Sequence, residues 1–382
     1  MPWQPKDLME TKKEFIALAL QEGANRRELC RRFGITPKAG YALLARFSHE
    51  GVAGLQPRSR RPLRSPGQTE DEVVQAVLLV RSSHPAWGGR KIARWLLDHG
   101  HERVPAPSTI TAILRRHRLL DDRLCEQNTH WQRFEHEHPN ALWQIDFKGH
   151  FDTAQARCHA LTLLDDHSRF NLLLHACKDV RTDSVQPQLE RALRRYGLPV
   201  RINADNGAPW GSPRQAEHGL SELSVWLIRL GIRVSHSRPY HPQTNGKLER
   251  FHRSLEREAL AGRAFLDLPQ VQQTLNRWRE VYNHERPHDA LGLATPASRY
   301  AASVRSMPEK LAPIEYAPSD EVQVVKWDGR VDWRGRRLKV SNALHRLPIA
   351  FRPDPTSDGA YDVYFCHHRF MRIEMNSATT TD

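Results

Sequence analysis

The sequence predicts a multidomain chain with an all-α N-terminal region, a central α/β core and a small all-β C-terminal domain. Short amphipathic helices separated by Gly and Pro occupy residues 1–120. From Trp143 onward, short apolar runs alternate with helical stretches, which is typical of an α/β core. Beyond Asp320, short strand-like runs surround the turn signal Asp328-Gly329. A length of 382 residues is consistent with several domains.

The positive charge is concentrated in the N-terminal third. The chain has 57 Lys and Arg against 44 Asp and Glu, a formal net charge of +13. Residues 1–120 hold +10 of this excess and the remaining residues only +3. An acidic excess would serve solubility better, so this distribution indicates that the N-terminal third binds nucleic acid.

Composition argues against a membrane protein and a secreted disulfide scaffold. No run approaches the roughly 18 apolar residues of a membrane span, and the first 30 residues lack signal-peptide features. The five cysteines contain no Cys-x-x-Cys pair, which favours a reducing compartment. His130, His136 and His138 allow a zinc interpretation, but without a cysteine pair downstream a solvated linker is the default.

Two helical units are predicted in this basic region. A stretch from Leu8 to Leu20 precedes a short helix capped by Asn25, and Thr36-Pro37 opens a third helix that runs to about Phe47. The last two form a helix-turn-helix or, alternatively, an ordinary helical hairpin. A helix-turn-helix would place three side chains near a major groove: Lys38, Tyr41 and Arg46.

The second unit follows a Pro- and Arg-rich break, which is either a solvated linker or an arm along DNA. Helices are expected over Asp71–Ser82 and Gly89–His99, and Ser108 is expected to cap a third. This pattern suggests a second helix-turn-helix. Its candidate DNA-binding residues are Arg90, Lys91, Arg115 and Arg116.

Domain boundaries follow from these changes of pattern. We expect a helix-turn-helix domain over 1–56, a basic linker over 57–68, a second unit over 69–120, a linker over 121–138, an α/β core over 139–300 and a β-barrel-like domain over 320–374. Core strands are expected at Trp143–Lys148, His159–Asp165, Arg169–Ala176, Val200–Ala204 and Ile232–Ser235, and helices at Ser184–Tyr196, Ser221–Leu230 and Gln243–Leu260. The barrel would contain about five strands.

Three acidic residues are candidates for chemistry. Asp146 lies within an apolar strand, Asp205 closes another strand, and Glu249 lies on a helix. A carboxylate in an apolar strand is costly unless it is paired or metal-bound, and three converging carboxylates would suit Mg²⁺ or Mn²⁺. Taken singly, each has an ordinary alternative: a strand-end residue, a turn before Gly207, and a helical ion pair with Arg253.

Five ordered motifs resemble those of a known family. They are Leu142-Trp143-Gln144-Ile145-Asp146-Phe147, Thr162-Leu163-Leu164-Asp165-Asp166-His167-Ser168-Arg169, Ala204-Asp205-Asn206-Gly207, the run from Arg238 to Arg250, and Tyr282-Asn283-His284-Glu285-Arg286-Pro287-His288 with Ala290-Leu291-Gly292. Together they resemble DDE-superfamily transposases of bacterial insertion sequences, a superfamily that includes retroviral integrases. The resemblance is strongest over residues 139–300, looser in the N-terminal units and weakest in the C-terminal region.

The resemblance implies a ribonuclease-H-like core in which Asp146, Asp205 and Glu249 bind two Mg²⁺ or Mn²⁺ ions. It implies cutting of transposon ends by water and attack of the freed 3′-hydroxyl on target DNA, with no covalent protein–DNA intermediate. The expected partners are terminal inverted repeats, target double-stranded DNA and further copies of the chain, with no membrane and no small-molecule substrate. The expected location is the bacterial cytoplasm, in association with the nucleoid.

The start of the Glu249 helix is expected to hold a DNA phosphate. The candidates there are Gln243, Asn245, Lys247, Arg250 and Arg253, although a surface ion pair is an equal alternative for Arg250.

One departure concerns the 43 residues between Asp205 and Glu249, an interval longer than is common in the family. We assign the extra length to a surface loop over Ala208–Leu220. Asp165 and Asp166 are decoys for the triad, and one of them is expected to support the metal shell. The competing interpretations are a domesticated DNA-binding regulator and a nuclease of the same fold.

Overall fold

A computed structural model of the chain describes residues 7–57, 68–120, 135–205, 207–211, 220–236 and 246–375. The chain divides into two compact units, Met1–Gln68 and Thr69–Asp382. In the described ranges, no helix is long and apolar enough to cross a membrane.

The first unit contains three helices: α1 (Leu8–Ala19), α2 (Arg26–Arg32) and α3 (Pro37–Glu50). The predicted caps are confirmed, because the Asn25 side chain accepts a hydrogen bond from the Glu28 amide and the Thr36 side chain accepts one from the Ala39 amide. The turn between α2 and α3 passes through Gly34, whose φ of +64° suits glycine. The predicted helix-turn-helix geometry is therefore present.

The second unit begins with three more helices: α4 (Asp71–Ser83), α5 (Gly89–Asp98) and α6 (Pro107–Arg116). Trp87, Ile92 and Ile110 are buried between them. The predicted start of α6 is wrong, because Ala106 and not Ser108 occupies the N-cap position and no side chain caps this end. Pro107 takes the first helical position, where its missing N–H costs nothing.

The central α/β core is built on a five-stranded sheet in the order β3-β2-β1-β4-β5. Its strands are β1 (Leu142–Asp152), β2 (Arg157–Asp165), β3 (Asn171–Cys177), β4 (Arg201–Ala204) and β5 (Arg233–His236). β1, β2 and β3 are antiparallel neighbours, whereas β4 runs parallel to both β1 and β5. The core helices are α7 (Thr182–Tyr196), α8 (Glu222–Arg229), α9 (Gly246–Leu255) and α10 (Leu268–Glu280). Strands and helices lie where the sequence predicts them, within a few residues.

The two faces of this sheet are covered by different helices. Trp143, Ile145 and Leu161 pack in one apolar cluster with residues of α7 and α8. Leu164 and Leu174 pack in another, with residues of α9 and α10. Because successive strand side chains point to opposite faces, Asp146 shares its face with the second cluster and lies on the side covered by α9.

β3 is an edge strand, and α10 together with the π-helical turn Val281–Glu285 supplies partners for its backbone. The Ala176 amide donates to Gln272 Oε1 (2.8 Å) and the Asn171 amide to Asn283 Oδ1 (2.8 Å). Asn283 Nδ2 and Arg279 Nε both donate to the Asn171 carbonyl at 3.0 Å. Side chains of α10 and of the turn after it thus satisfy backbone N–H and C=O groups of β3 that an uncovered edge would expose.

The C-terminal region contains β6 (Glu321–Val324), β7 (Arg330–Trp333), β8 (Arg336–Lys339), β9 (Pro348–Pro353), β10 (Ala360–Phe365) and β11 (His368–Glu374). The barrel prediction is wrong, because the described strands form a four-stranded sheet, β11-β10-β9-β6, and a separate β7-β8 pair. The predicted turn at Asp328-Gly329 is present, but β6 pairs with β9 and not with β7. Trp333 of β7 stacks on Phe351 of β9 at 4.4 Å between ring centroids, so the two sheets pack through side chains instead of closing edge to edge.

Candidate active site

Two of the predicted carboxylates lie side by side on neighbouring parallel strands. Gln144 of β1 is in register with Asn203 of β4, and continuing both strands by two residues places Asp205 beside Asp146. Both residues therefore lie on the sheet face covered by α9, with Asp146 in the middle of β1 and Asp205 directly after the end of β4. This pairing brings together residues that are far apart in the sequence.

Local hydrogen bonds orient each carboxylate. Asp146 Oδ1 accepts from the Phe147 amide at 2.8 Å, and Asp205 Oδ1 accepts from the Gly207 amide at 3.0 Å. The Asp205 carbonyl is also 2.7 Å from His236 Nδ1, at the end of β5. The turn after β4 is thus held to the neighbouring strand.

The surroundings of Asp146 disfavour its ionised form. Burial and the nearby Asp205 carboxylate, with a smaller contribution from Glu249, raise the pKa of Asp146 to about 6. A bound divalent cation would remove this penalty because it stabilises the ionised carboxylates. Three carboxylates are also the hard oxygen donors that Mg²⁺ and Mn²⁺ prefer, so these residues fit such an ion.

Glu249 lies in the exposed first turn of α9. Leu248, Phe251 and Leu255 of this helix are buried. In the part of the chain that the structure describes, no three His, Cys, Asp or Glu side chains are grouped so that they could hold a metal ion. Glu249 therefore influences Asp146 without completing a three-ligand cage.

Polar contacts between α9 and the sheet surround this position. His252 Nε2 is 3.2 Å from Thr162 Oγ1, and Thr162 is the cross-strand partner of Asp146. Burial and the nearby Lys148 lower the pKa of His252 to about 4, so its ring is neutral at physiological pH. Lys148 itself forms an ion pair with Glu256 at 2.5 Å.

Lys148, His252 and Glu256 are not among the site residues that the sequence predicts. The available signal was spacing: Lys148 follows Asp146 by two residues, and the other two lie on the Glu249 face of the helix.

Asp165 and Asp166 are buried in the scaffold beside the site. Asp165 accepts hydrogen bonds from the Asn140 amide (2.8 Å), the Ser168 amide (2.8 Å) and Ser168 Oγ (2.6 Å). Asp166 accepts from Gln144 Nε2 (3.0 Å) and pairs with Lys247 Nζ (2.5 Å). These bonds give both aspartates a structural role. That one of them supports the metal shell stays a prediction.

The closing motif of the core anchors the far end of the Glu249 helix. Glu258 lies in the π-helical turn that extends α9. Its carboxylate accepts three hydrogen bonds from the Arg286 guanidinium, at 2.9 to 3.1 Å. Arg286 Nη2 also donates to Ser254 Oγ at 3.1 Å, and Trp278 Nε1 donates to Glu258 Oε2 at 3.1 Å. The Tyr282 ring packs edge-on against Phe251. The motif therefore fixes α9 from behind.

The candidate DNA-binding residues fall into three groups, and their DNA contacts stay predictions. Seven are exposed: Lys38, Tyr41, Arg90, Arg115, Arg116, Arg250 and Arg253, and of these Arg90 pairs with Asp289. Three are half-buried: Arg46 donates to the Gln56 carbonyl, Lys247 pairs with Asp166, and burial near Arg286 lowers the pKa of Lys91 to about 8. Gln243 and Asn245 lie outside the described residues.

The sheet order β3-β2-β1-β4-β5, with Asp146 on β1, Asp205 directly after β4 and Glu249 on α9, is consistent with an integrase-like α/β core. Comparison with known domain families agrees with this class. The "Integrase core domain" matches residues 136–242 and, in a second form, 230–296. A "Helix-turn-helix domain" matches 12–62, a "Homeodomain-like domain" 39–114, and the "IS481 family transposase, C-terminal domain" 320–381.

Relatives include proteins of two bacterial insertion elements. An uncharacterized protein of IS407 from Burkholderia multivorans is 27% identical over 168 residues, which are 44% of this chain and 57% of the relative. An uncharacterized protein of IS476 from Xanthomonas euvesicatoria is 27% identical over 168 residues, 44% of this chain and 46% of the relative. The chain thus spans about half the length of these relatives. A simian T-cell lymphotropic virus intasome chain aligns with 18% identity and a TM-score of 0.39, over 75% of this chain and 91% of its own.

The domain-family matches and the two insertion-element relatives confirm the resemblance that the five motifs indicated. Helix-turn-helix models match the N-terminal region, an integrase core model matches the central region, and the model of an insertion-sequence transposase C-terminal domain matches the C-terminal region.

Proposed function

We propose that this protein is the transposase of an insertion sequence. It binds the terminal inverted repeats of its element through the helix-turn-helix units, cuts the DNA at those ends and joins the freed 3′-hydroxyl to target DNA. The observation that carries this proposal is the placement of Asp146 beside Asp205, under the helix that bears Glu249, with the pKa of Asp146 raised to about 6. An inert scaffold has no need of this costly arrangement of carboxylates.

In the proposed reaction, Asp146, Asp205 and Glu249 hold two Mg²⁺ or Mn²⁺ ions. When bound, two such ions activate the attacking oxygen and stabilise the leaving oxygen of an in-line phosphoryl transfer. The chain's own contribution is positioning: the Phe147 and Gly207 amides fix the two aspartates, and the contacts of α9 fix the glutamate. No protein side chain becomes covalently attached to DNA.

DNA is the proposed partner on both sides of the reaction. Lys38 and Tyr41 on α3 and Arg115 and Arg116 on α6 are exposed and suited to reading a transposon end. Arg250 and Arg253 on α9 are placed to bind phosphates near the carboxylates. Two ends must be held together, so the active form is a multimer of this chain. Its site of action is bacterial DNA in the cytoplasm, on the nucleoid.

The test is a joining assay with the purified full chain. Duplex DNA that contains an element end is incubated with a supercoiled target plasmid and Mg²⁺, and joined products are resolved on a gel. We expect the wild type to join ends, and Asp146→Asn, Asp205→Asn and Glu249→Gln to bind the same DNA without joining it. Asp152→Asn is the matched control, because Asp152 is an exposed acid on the same strand. Specific binding without cutting would favour a DNA-binding regulator, and cutting without joining would favour a nuclease.

A further inference from the structure

The position of Glu249 depends on how α9 is seated on the sheet. Leu248, Phe251 and Leu255 bury the apolar face of α9. This stripe sets which face of α9 is buried, and the contacts of Arg286 with Glu258 and Ser254 hold the far end of the helix. Apolar contacts are non-directional, so the orientation of α9 close to Glu249 also depends on directional polar contacts with the sheet.

Lys148 and Glu256 form such a contact between the two acidic elements of the site. Lys148 lies two residues beyond Asp146 on β1, and its side chain is only 17% exposed. Glu256 lies seven residues beyond Glu249, which is two helical turns along the same face, or about 10 Å. Their 2.5 Å ion pair therefore joins the strand of Asp146 to the helix of Glu249.

A second contact lies between this ion pair and Glu249. His252, one turn after Glu249, is 3.2 Å from the hydroxyl of Thr162, which is directly across from Asp146 on β2. The buried, neutral ring adds no charge to the acidic site. The contacts of His252 and Glu256 with the sheet thus place one side of α9 against the surface that carries Asp146.

We infer that Lys148 and Glu256 are positioning residues whose ion pair sets the orientation of Glu249 and thereby the affinity of the three carboxylates for a divalent cation. This inference rests on the proposed function. Lys148 touches no reacting group in it and acts only through Glu256. Residues that orient metal ligands typically change metal affinity by 10–100-fold when removed.

A double-mutant cycle on the full chain tests the inference, with Mn²⁺ as the probe. Binding of Mn²⁺ is followed by the loss of the free-ion signal in electron paramagnetic resonance, for the wild type, Lys148→Met, Glu256→Gln and the double variant. We expect each single variant to raise the Mn²⁺ dissociation constant roughly tenfold and the double variant to raise it no further, because both remove one interaction. Lys148→Arg, which keeps the charge and can still reach Glu256, should stay near the wild-type value.

Controls separate seating of the helix from other effects. Arg157→Met removes the exposed ion pair between Arg157 of β2 and Asp152 of β1, and it should leave Mn²⁺ binding unchanged. Binding of end DNA should be the same in all variants. The inference would be overturned if the double variant raised the Mn²⁺ dissociation constant by the product of the two single effects. It would also be overturned if Lys148→Met weakened Mn²⁺ binding and Glu256→Gln did not, which would assign Lys148 to DNA or directly to the ions. If Lys148→Met fails to fold, Glu256→Gln and Lys148→Arg still decide, because Glu256 is 48% exposed.

The joining assay distinguishes this inference from the proposed function. A wild type that binds Mn²⁺ and joins ends, together with single variants that do both equally well, overturns only the positioning role. A wild type that does neither overturns the proposed function itself.

Discussion

At the scale of single residues, the ionised carboxylate of Asp146 lowers the stability of the folded protein. Its ionised form is opposed by burial and by Asp205, which raises its pKa to about 6 from the ordinary 3.8. Between these values the folded protein holds a proton that the unfolded chain has released. Without a cation, stability therefore falls as the pH rises through this window.

This sign gives a prediction for Asp146→Asn. In a chelating buffer, the melting temperature of the wild-type core should fall between pH 4 and pH 6 by more than that of the variant, and at pH 7.5 the variant should melt higher. Differential scanning calorimetry across this pH range measures both. Parallel pH profiles would contradict the assigned environment of Asp146, and Asp152→Asn serves as the control for loss of an acid from β1.

Asp166 has a different role from Asp146, although both are acidic residues of the predicted motifs. Its carboxylate is 1% exposed and is paired with Lys247, whose side chain is 17% exposed. Removing one partner of a buried ion pair leaves the other charge unpaired, at a cost of about 3–5 kcal/mol.

We therefore expect Asp166→Ala to destabilise the core by about 3 kcal/mol, measured by chemical denaturation. Asp332→Ala breaks ion pairs with Lys326 and Arg337 that are about half exposed and screened by solvent, and it should cost much less than Asp166→Ala. Equal losses in the two variants would refute the distinction.

At the scale of elements, α10 and the turn after it are matched to β3 by side chains. Asn283 both accepts from the amide and donates to the carbonyl of Asn171 in a buried setting. Asn283→Leu leaves both backbone groups without that partner, and an unsatisfied buried group costs about 1–3 kcal/mol. Denaturation should show a loss in this range, whereas Gln273→Ala, at an exposed position of α10, should be nearly neutral.

The elements also show what the sequence could predict. Asn25, Thr36 and Gly34 act within a few residues of themselves, so the helix starts and the turn that they signal were predictable. The start of α6 was not, because Ser108 and Pro107 offer competing starts and Pro107 prevails. The barrel failed for a longer-range reason: the stacking of Trp333 on Phe351 decides how the two sheets meet, and no local pattern records it.

The candidate site divides in the same way. Its three carboxylates could be named from their motifs. The register that places Asp205 beside Asp146, and the ion pair between Lys148 and Glu256, join distant segments and follow only from the folded sheet.

At the scale of the whole molecule, the two compact units have separate apolar cores. Phe15, Ile16, Cys30 and Leu55 are buried within Met1–Gln68, and the clusters around the central sheet lie in Thr69–Asp382. Each unit should therefore unfold on its own.

Leu55→Ala tests this independence. Leu55 is fully buried, so its truncation should cost the first unit about 2–5 kcal/mol. Calorimetry should show one transition lowered and the other unchanged. If the core binds Mg²⁺ as proposed, the ion should raise only the unchanged transition. A shift of both transitions in Leu55→Ala would show that the units unfold together.

The covered edge of β3 has a consequence for crowded conditions. When many copies gather on one DNA molecule, an open strand edge would let chains add to one another as further strands and grow into aggregates. Gln272, Arg279 and Asn283 already occupy backbone groups that such growth requires. The side chains of α10 and of the turn after it thereby protect the β3 edge from amyloid-like propagation at high local concentration.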